Sequence, residues 1–236
     1  MKRAKTLSAL SLAIIMLFVV GCTRTNDSES SYTWLREGET LNEEGLRFSA
    51  GEISNVTLNT AYSSINIRTH NSDYIFIEYV PLPAIQGGNQ GNLAHHYIIW
   101  PRYVQTSGHL EIFKEVALEP GTAIRGGEIT IFVPTYEGIM FDGLILSNTV
   151  GSIEMSGFTV DTATINSGNG DLIIANVGIE GNLTLQTAFS NIDISNSYVG
   201  GILSAVTTHG NITLTNVDTE IENADLNTSN GDVIIN

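Results

Sequence analysis

The amino-acid sequence predicts an all-β fold, a β-solenoid of the parallel β-helix kind with rungs of about 20 residues. Three observations predict it. A short motif recurs at nearly constant spacing after residue 143, and the apolar residues inside each repeat alternate at period two. The chain is also rich in Gly (23) and poor in Pro (5), and beyond its first 22 residues it lacks the 3.6-residue periodicity of amphipathic helices.

The repeats occupy residues 144–236, which we expect to form the regular rungs. Five eight-residue segments align without gaps: 148–155, 167–174, 187–194, 207–214 and 228–235. The fourth residue of each is small, and these residues are spaced by 19, 20, 20 and 21: Gly151, Gly170, Ser190, Gly210 and Gly231. Residues 60–67 are a sixth, isolated match. A strand in every unit of this length indicates stacked rungs with one continuous apolar interior.

Alternation at period two predicts which side chains face that interior. After each turn the inward residues are Ile153/Met155, Leu172/Ile174, Ile192/Ile194, Ile212/Leu214 and Val233/Ile235. Before each turn they are Leu144/Leu146, Ala163/Ile165, Leu183/Leu185, Leu203/Ala205 and Ala224/Leu226. Asn176, Asn196 and Asn216 follow the same strand at spacings of 20, so their amides either form a hydrogen-bonded ladder or coincide on the surface.

The preceding part of the domain, residues 46–143, is expected to hold irregularly spaced strands. The candidates are short and rich in β-branched or aromatic residues: Val56–Leu58, Ser64–Arg68, Tyr74–Val80, Tyr97–Trp100, His109–Lys114 and Glu128–Val133. Pro81–Asn92 carries two prolines and three glycines and is predicted to be a loop.

The first 21 residues are typical of a secretory signal peptide. A basic start (Lys2, Arg3, Lys5) precedes the apolar stretch Leu7–Val20, which is short for a membrane-spanning helix. The segment ends in Val19-Val20-Gly21-Cys22, which resembles the lipobox of bacterial lipoproteins. The resemblance implies cleavage before Cys22 and acylation of its thiol, and two or three acyl chains hold a protein firmly on a membrane. An ordinary signal or an uncleaved anchor is the alternative.

Residues 22–45 are polar and acidic, and we expect at least their first part to be a tether between the lipid on Cys22 and the domain at 46–236. Removal of residues 1–21 would take three of the ten basic residues and none of the 25 acidic ones, which leaves a formal charge near −18. Such a charge argues against nucleic acid as a partner. Cys22 is the single cysteine, so no internal disulfide forms.

The repeats carry a family resemblance. Residues 146–155 and 165–174, preceded by Ile129–Pro134, are similar to the bacterial DUF4097 "putative adhesin" family, over roughly residues 50–236. The resemblance implies a β-solenoid at the cell envelope and supplies no catalytic residues.

No catalytic, cofactor or metal site is expected. The histidines are His70, His95, His96, His109 and His209, and adjacent residues on a strand point to opposite faces, so His95 and His96 are unsuited to sharing an ion. Asp171, Asp193 and Asp232 recur near the turns, where they suit turn chemistry; the alternative is calcium binding or a glycosidase site. Gly168-Asn169-Gly170 precedes no helix and is not a nucleotide loop.

Aromatic residues in the first half of the domain have two interpretations. Tyr97, Trp100, Tyr103 and Phe113 either pack in the core at the blunt end of the solenoid or form a sugar-binding strip.

Three functions are therefore considered, all at the extracytoplasmic face of a bacterial membrane, whether inner or outer. The first is an adhesin or binding module with a protein or glycan ligand. The second is an accessory protein that binds another envelope component, and the third is a carbohydrate-active enzyme on a β-helix. We also expect the last rung, before Asn236, to have unpaired backbone groups that another protein or a second copy covers.

Overall fold

The computed structural model describes residues 33–34, 47–81, 102–113, 126–135, 138–219 and 223–236. Apart from one short 3-10 turn, Ala50–Glu52, the regular elements of these ranges are strands. The first eight are β1 (Thr33–Trp34), β2 (Arg47–Ser49), β3 (Asn55–Thr60), β4 (Ser63–His70), β5 (Tyr74–Pro81), β6 (Arg102–Thr106), β7 (His109–Phe113) and β8 (Gly127–Pro134). The others are β9 (Ile139–Val150), β10 (Ile153–Ser156), β11 (Thr159–Asn169), β12 (Leu172–Ala175), β13 (Gly178–Ile179), β14 (Leu183–Thr187), β15 (Ile192–Val199), β16 (Leu203–His209), β17 (Ile212–Thr219), β18 (Ala224–Asn230) and β19 (Val233–Ile235).

The strands stack into two long faces, which confirms the predicted β-solenoid. Face A has the order β1-β6-β7-β3-β9-β11-β14-β16-β18, and face B has the order β2-β5-β8-β4-β10-β12-β15-β17-β19. Pairing is parallel from β7 and β8 onward and antiparallel among the outer strands before them. A short third side joins face B back to face A through β13 and the matching ends of β9, β11, β15 and β17.

The predicted inward columns are confirmed residue by residue. Ile153 pairs with Leu172, Leu172 with Ile192, and the column continues through Ile212 to Val233. On face A, Leu144 begins the equivalent column through β11, β14, β16 and β18. These side chains are buried up to Ile212 and Leu214, whereas Val233 and Ile235 of the last described rung are 42% and 60% exposed.

The isolated sixth match at residues 60–67 is itself a turn of the solenoid. β3 pairs with β9 and β4 pairs with β10, with Ile65 opposite Ile153. On its other side this rung contacts β7 and β8, which come later in the chain. The part predicted to be irregular therefore contains two rungs, and the rung that is first in sequence lies between two later ones.

Most candidate strands of this part are confirmed, within β3, β4, β5, β7 and β8. Tyr97–Trp100 and most of Pro81–Asn92 lie outside the described residues. β2 and β6 were not predicted from the sequence, because β2 has three residues and β6 is largely polar, so neither shows a clear hydrophobic alternation.

A buried polar column explains the first residue of the repeat motif. On successive rungs the side chain of this residue donates a hydrogen bond to the carbonyl oxygen of the fourth residue of the preceding motif. The bonds are Ser167 to Gly151 (3.3 Å), Thr187 to Gly170 (3.3 Å), Thr207 to Ser190 (2.9 Å) and Thr228 to Gly210 (2.9 Å). Each rung is thereby tied to its neighbour at the turn between face A and face B.

The corner after face B needs a left-handed backbone. Gly157, Asn176, Asn196 and Asn216 occupy it with φ of 85°, 57°, 47° and 53°. Asn tolerates this conformation better than other residues with a Cβ. The predicted amide ladder is present between Asn216 and Asn196, where Nδ2 donates to Oδ1 at 3.2 Å.

Replacing Thr207 by Val tests the buried polar column. The substitution keeps the side-chain shape but removes the donor to the Ser190 carbonyl, so we expect the free energy of unfolding to fall by about 1 kcal/mol. Thr208→Val is the matched control, because Thr208 points outward on the same strand and should change stability by less than about 0.5 kcal/mol. Chemical denaturation measures both; equal effects would contradict the assignment.

Tyr79 makes stability depend on alkaline pH. Burial raises the pKa of Tyr79 from 10.0 to about 12. The folded state therefore holds the phenol proton more tightly than the unfolded state, and this stabilisation is complete below pH 10 and is lost as the pH rises to about 12. Tyr79→Phe should remove that part of the alkaline loss of stability, measured by denaturant unfolding across this range; an unchanged pH dependence would contradict it.

Candidate binding surface

The predicted lipid-attachment residue, Cys22, lies outside the described residues, as do the signal segment and all of the predicted tether except Thr33–Trp34, which form β1 and pair with β6. Among the residues that the structure does describe, no helix is long and apolar enough to cross a membrane. The anchoring prediction therefore still rests on the sequence features around Cys22.

The histidines are dispersed. His70 ends β4, where its Nε2 lies 2.7 Å from the Tyr74 carbonyl oxygen and its ring meets Phe76 edge-on at 4.6 Å. His109 begins β7, and His209 ends β16. His95 and His96 lie outside the described residues. Within the described ranges, no three His, Cys, Asp or Glu side chains are grouped to hold a metal ion.

Of the acidic residues near the turns, Asp171 and Asp232 lie far apart. Asp171 Oδ1 accepts a hydrogen bond from the backbone amide of Asn191 at 3.0 Å, so its carboxylate joins its turn to the next rung. The same contact recurs on the next two rungs. The Asn211 amide donates to Asn191 Oδ1, and the Asp232 amide donates to Asn211 Oδ1 at 2.9 Å. Asp232 is thus three rungs from Asp171, or about 14 Å at the usual strand spacing. Asp193 lies farther along β15, opposite Ile173 and Thr213.

The aromatic residues named as a possible strip separate as well. Tyr103 packs against the core and meets Phe48 edge-on at 5.5 Å, so the packing interpretation is confirmed for it. Phe113 lies on face A opposite Asn59. Tyr97 and Trp100 lie outside the described residues.

One surface stands out because it carries no ionisable group. The outward side chains of five neighbouring face A strands form two columns, which we call the neutral face. The first column is Thr57, Ile145, Thr164, Thr184 and Ser204, and the second is Asn59, Ser147, Asn166, Gln186 and Val206. All ten are exposed or half-buried, while the residues between them on each strand are buried. Strand geometry places the rungs about 4.8 Å apart and the columns about 6.6 Å apart.

Acidic side chains lie around this surface rather than on it. Glu111 and Asp225 flank the first column at its two ends, opposite Thr57 and Ser204. Asp142, Asp161 and Glu180 form a column where the third side meets face A, and Glu154 and Asp193 lie on face B. In a chain with a formal charge of −15, the absence of charge from the neutral face distinguishes it from its surroundings.

The opposite edge of the neutral face is a corner with exposed rings. On each rung the residue three positions after the second column lies at the turn from face A to face B. We call these residues the corner column: Tyr62, Val150, Asn169, Phe189 and His209. Tyr62 is 40% exposed and Phe189 is 62% exposed, and the Phe189 ring stacks on His209 with centroids 5.2 Å apart and planes inclined by 19°. Asn169 ends β11, and Gly170 follows it in the turn between β11 and β12.

The sequence carries a signal for both the neutral face and the corner column. An alignment of the repeats on their inward residues also places the outward residues in columns. The signal was the lack of Asp, Glu, Lys and Arg at those outward positions, and the recurrence of large exposed side chains one residue before the small turn residue.

Comparison with known proteins gives the family. The family model of Toastrack DUF4097 matches residues 105–236, from within β6 to the end of β19. The chain belongs to the DUF4097 family. The match includes the regular rungs on which the resemblance was recognised.

Two further comparisons bear on this DUF4097 protein. A crystal structure of a putative cell adhesion protein from Clostridium sporogenes ATCC 15579 is similar at 11% identity and a TM-score of 0.41, over 80% of this chain and 97% of that chain. A search of curated proteins gives no match.

Proposed function

We propose that this DUF4097 protein is a lipid-anchored binding module of the bacterial cell envelope, of the adhesin type, that acts through surface contact and not through catalysis. The observation that carries the proposal is the neutral face, a regular array of ten uncharged side chains on a rigid stack of strands. We assign the contact surface to this array.

Rigidity supports a binding role. The side chains beneath the neutral face are buried, and every strand that carries it is paired on both sides. The array is therefore ordered before a ligand arrives, so binding loses little conformational entropy at the surface. Solenoids commonly use such extended faces for recognition.

Anchoring is supported by the order of segments in the sequence. A basic start, an apolar stretch and Cys22 precede a polar segment that leads to the first strands. In this proposal the lipid holds the protein at the extracytoplasmic face of a membrane, and the solenoid extends beyond it.

The two alternatives differ in what they require. An accessory protein that binds another envelope component would use the same neutral face with a protein ligand. A carbohydrate-active enzyme would require two carboxyl groups about 5–10 Å apart in a concave site. Asp171 and Asp232, about 14 Å apart along their corner, do not form such a pair.

Replacing Cys22 by Ser tests the anchor. The change removes the thiol that would carry lipid and leaves residues 46–236 intact, so we expect the protein to incorporate no labelled fatty acid. Growth with radiolabelled palmitate and detection of label on the protein measure this, and circular dichroism of the purified variant should still show a β fold. A Cys22→Ser variant that still carries label would contradict lipid attachment at Cys22.

Replacing Thr184 by Arg tests the neutral face. In the Cys22→Ser background, so that lipid makes no contribution, the protein should sediment with isolated envelopes of the producing bacterium. Thr184→Arg places a charged, bulky side chain in the array and should abolish sedimentation. Thr213→Arg is the matched control, because Thr213 points outward on face B. Equal sedimentation of the two variants would rule out the neutral face as the contact surface.

Self-association through the last described rung also stays a prediction. Val233 and Ile235 are exposed there, while their equivalents Ile212 and Leu214 are buried. A second copy that pairs with β18 and β19 would cover them. Measurement of molecular mass in solution tests this, and a strict monomer at high concentration would count against it.

A further inference from the structure

We propose that the neutral face and the corner column together bind an uncharged, extended polysaccharide, with one sugar ring against the open side of Phe189. The inference deepens the proposed function and rests on it, since it names the ligand class of the same surface.

The charge distribution selects an uncharged ligand. The ten side chains of the neutral face offer hydroxyl and amide groups but no formal charge. An anionic polymer on this face would lie beside the column of Asp142, Asp161 and Glu180, and would be repelled. A cationic ligand would be attracted to the carboxylates of that column and of face B rather than to the neutral face. The surface is therefore complementary to a ligand that is itself rich in hydroxyl groups and carries no charge.

Free amide groups supply the polar contacts. Asn166 and Gln186 are neighbours on adjacent rungs of the second column. Each amide can donate two hydrogen bonds and accept two, and within the described part of the chain neither side chain has a hydrogen-bond partner. Two unoccupied amides about 4.8 Å apart suit the hydroxyl or acetamido groups of successive positions on a sugar chain.

Phe189 supplies the apolar contact. It is the most exposed of the large hydrophobic side chains described, at 62%. One side of its ring is covered by His209, and the other side faces the rung of Asn169. The face of a pyranose that carries its axial C–H bonds is apolar, and it packs against the electron-rich face of an aromatic ring.

The rung beside Phe189 carries two glycines at this corner. Asn169 lies between Gly168 and Gly170, and a Cβ on Gly168 would come within 2.6 Å of the Thr149 carbonyl oxygen. A Cβ on Gly170 would overlap the Gly151 carbonyl oxygen. The glycines let this turn pack closely on the rung of Gly151, and neither position carries a side chain that would compete with a ligand for the open side of the phenyl ring.

An extended chain fits better than a single sugar. The corner column and the two columns of the neutral face run parallel along the solenoid axis, and five rungs span about 19 Å. On the rung of Gln186 the corner residue is Phe189, three positions later and about 10 Å across the face, so a polymer that crosses the columns obliquely can contact both. The ring contact and the amide contacts then act together over several sugar units.

Retention on insoluble polysaccharides tests the proposal. The full chain, extracted in mild detergent, is passed over chitin and over cellulose as neutral polymers, and over insoluble polygalacturonate as a charged one. We expect retention on chitin or cellulose and none on polygalacturonate. Phe189→Ala and the double variant Asn166→Ala/Gln186→Ala should each weaken retention about tenfold.

Tyr198→Ala is the matched control, because Tyr198 is an exposed aromatic residue on the third side of the solenoid, away from the corner column. It should leave retention unchanged, and all variants should keep the wild-type melting temperature within a few degrees. Equal retention of Phe189→Ala and wild type would overturn the proposal, as would retention on polygalacturonate alone.

The outcome is separable from that of the proposed function. If the protein binds neither chitin nor cellulose while its Cys22→Ser form still sediments with envelopes through Thr184, the polysaccharide inference fails and the binding module stands. If sedimentation with envelopes is also lost, both fail.

Discussion

The structure depends on parallel pairing of rungs in strict register. A shift of one residue would turn every inward aliphatic side chain outward, because side chains alternate along a strand. The buried Ser and Thr hydroxyls oppose such a shift, since each meets a carbonyl oxygen at one fixed point of the preceding turn. The outward columns follow the same register. The packing of the core therefore determines the regular spacing of the side chains on the neutral face.

The distribution of charge is a second organising feature. Acidic residues are placed on face B, on the third side and at the ends of the first column, where they keep the molecule soluble and limit non-specific association. The neutral face lacks this protection and exposes Ile145 beside its hydroxyl and amide groups. A surface of this kind differs from one selected for solubility alone, and its edge carries the exposed Phe189–His209 stack.

The repeats made much of the fold predictable from sequence. Ile153, Leu172 and Ile192 could be placed over one another because a period of about 20 residues leaves one register that buries them. The position of β7 and β8 beneath β3 and β4 could not be predicted, because it depends on pairing between strands distant in sequence and of dissimilar composition. The stacking of the Phe189 ring on His209 could not be predicted either, because aligned repeats place the two residues in one column but do not determine how their rings are oriented.

The placement of β3 and β4 between later rungs also determines how the molecule can assemble. The edges of that rung stay unpaired until the strands within 109–134 and 143–156 have formed. The first stable unit therefore needs contacts between residues distant in sequence, and such contacts form slowly. Each later rung then adds to a finished edge by closing a segment of about 20 residues, at a modest cost in chain entropy. We therefore expect the N-terminal rungs to be the slow step of assembly and the regular repeats to extend from them one unit at a time.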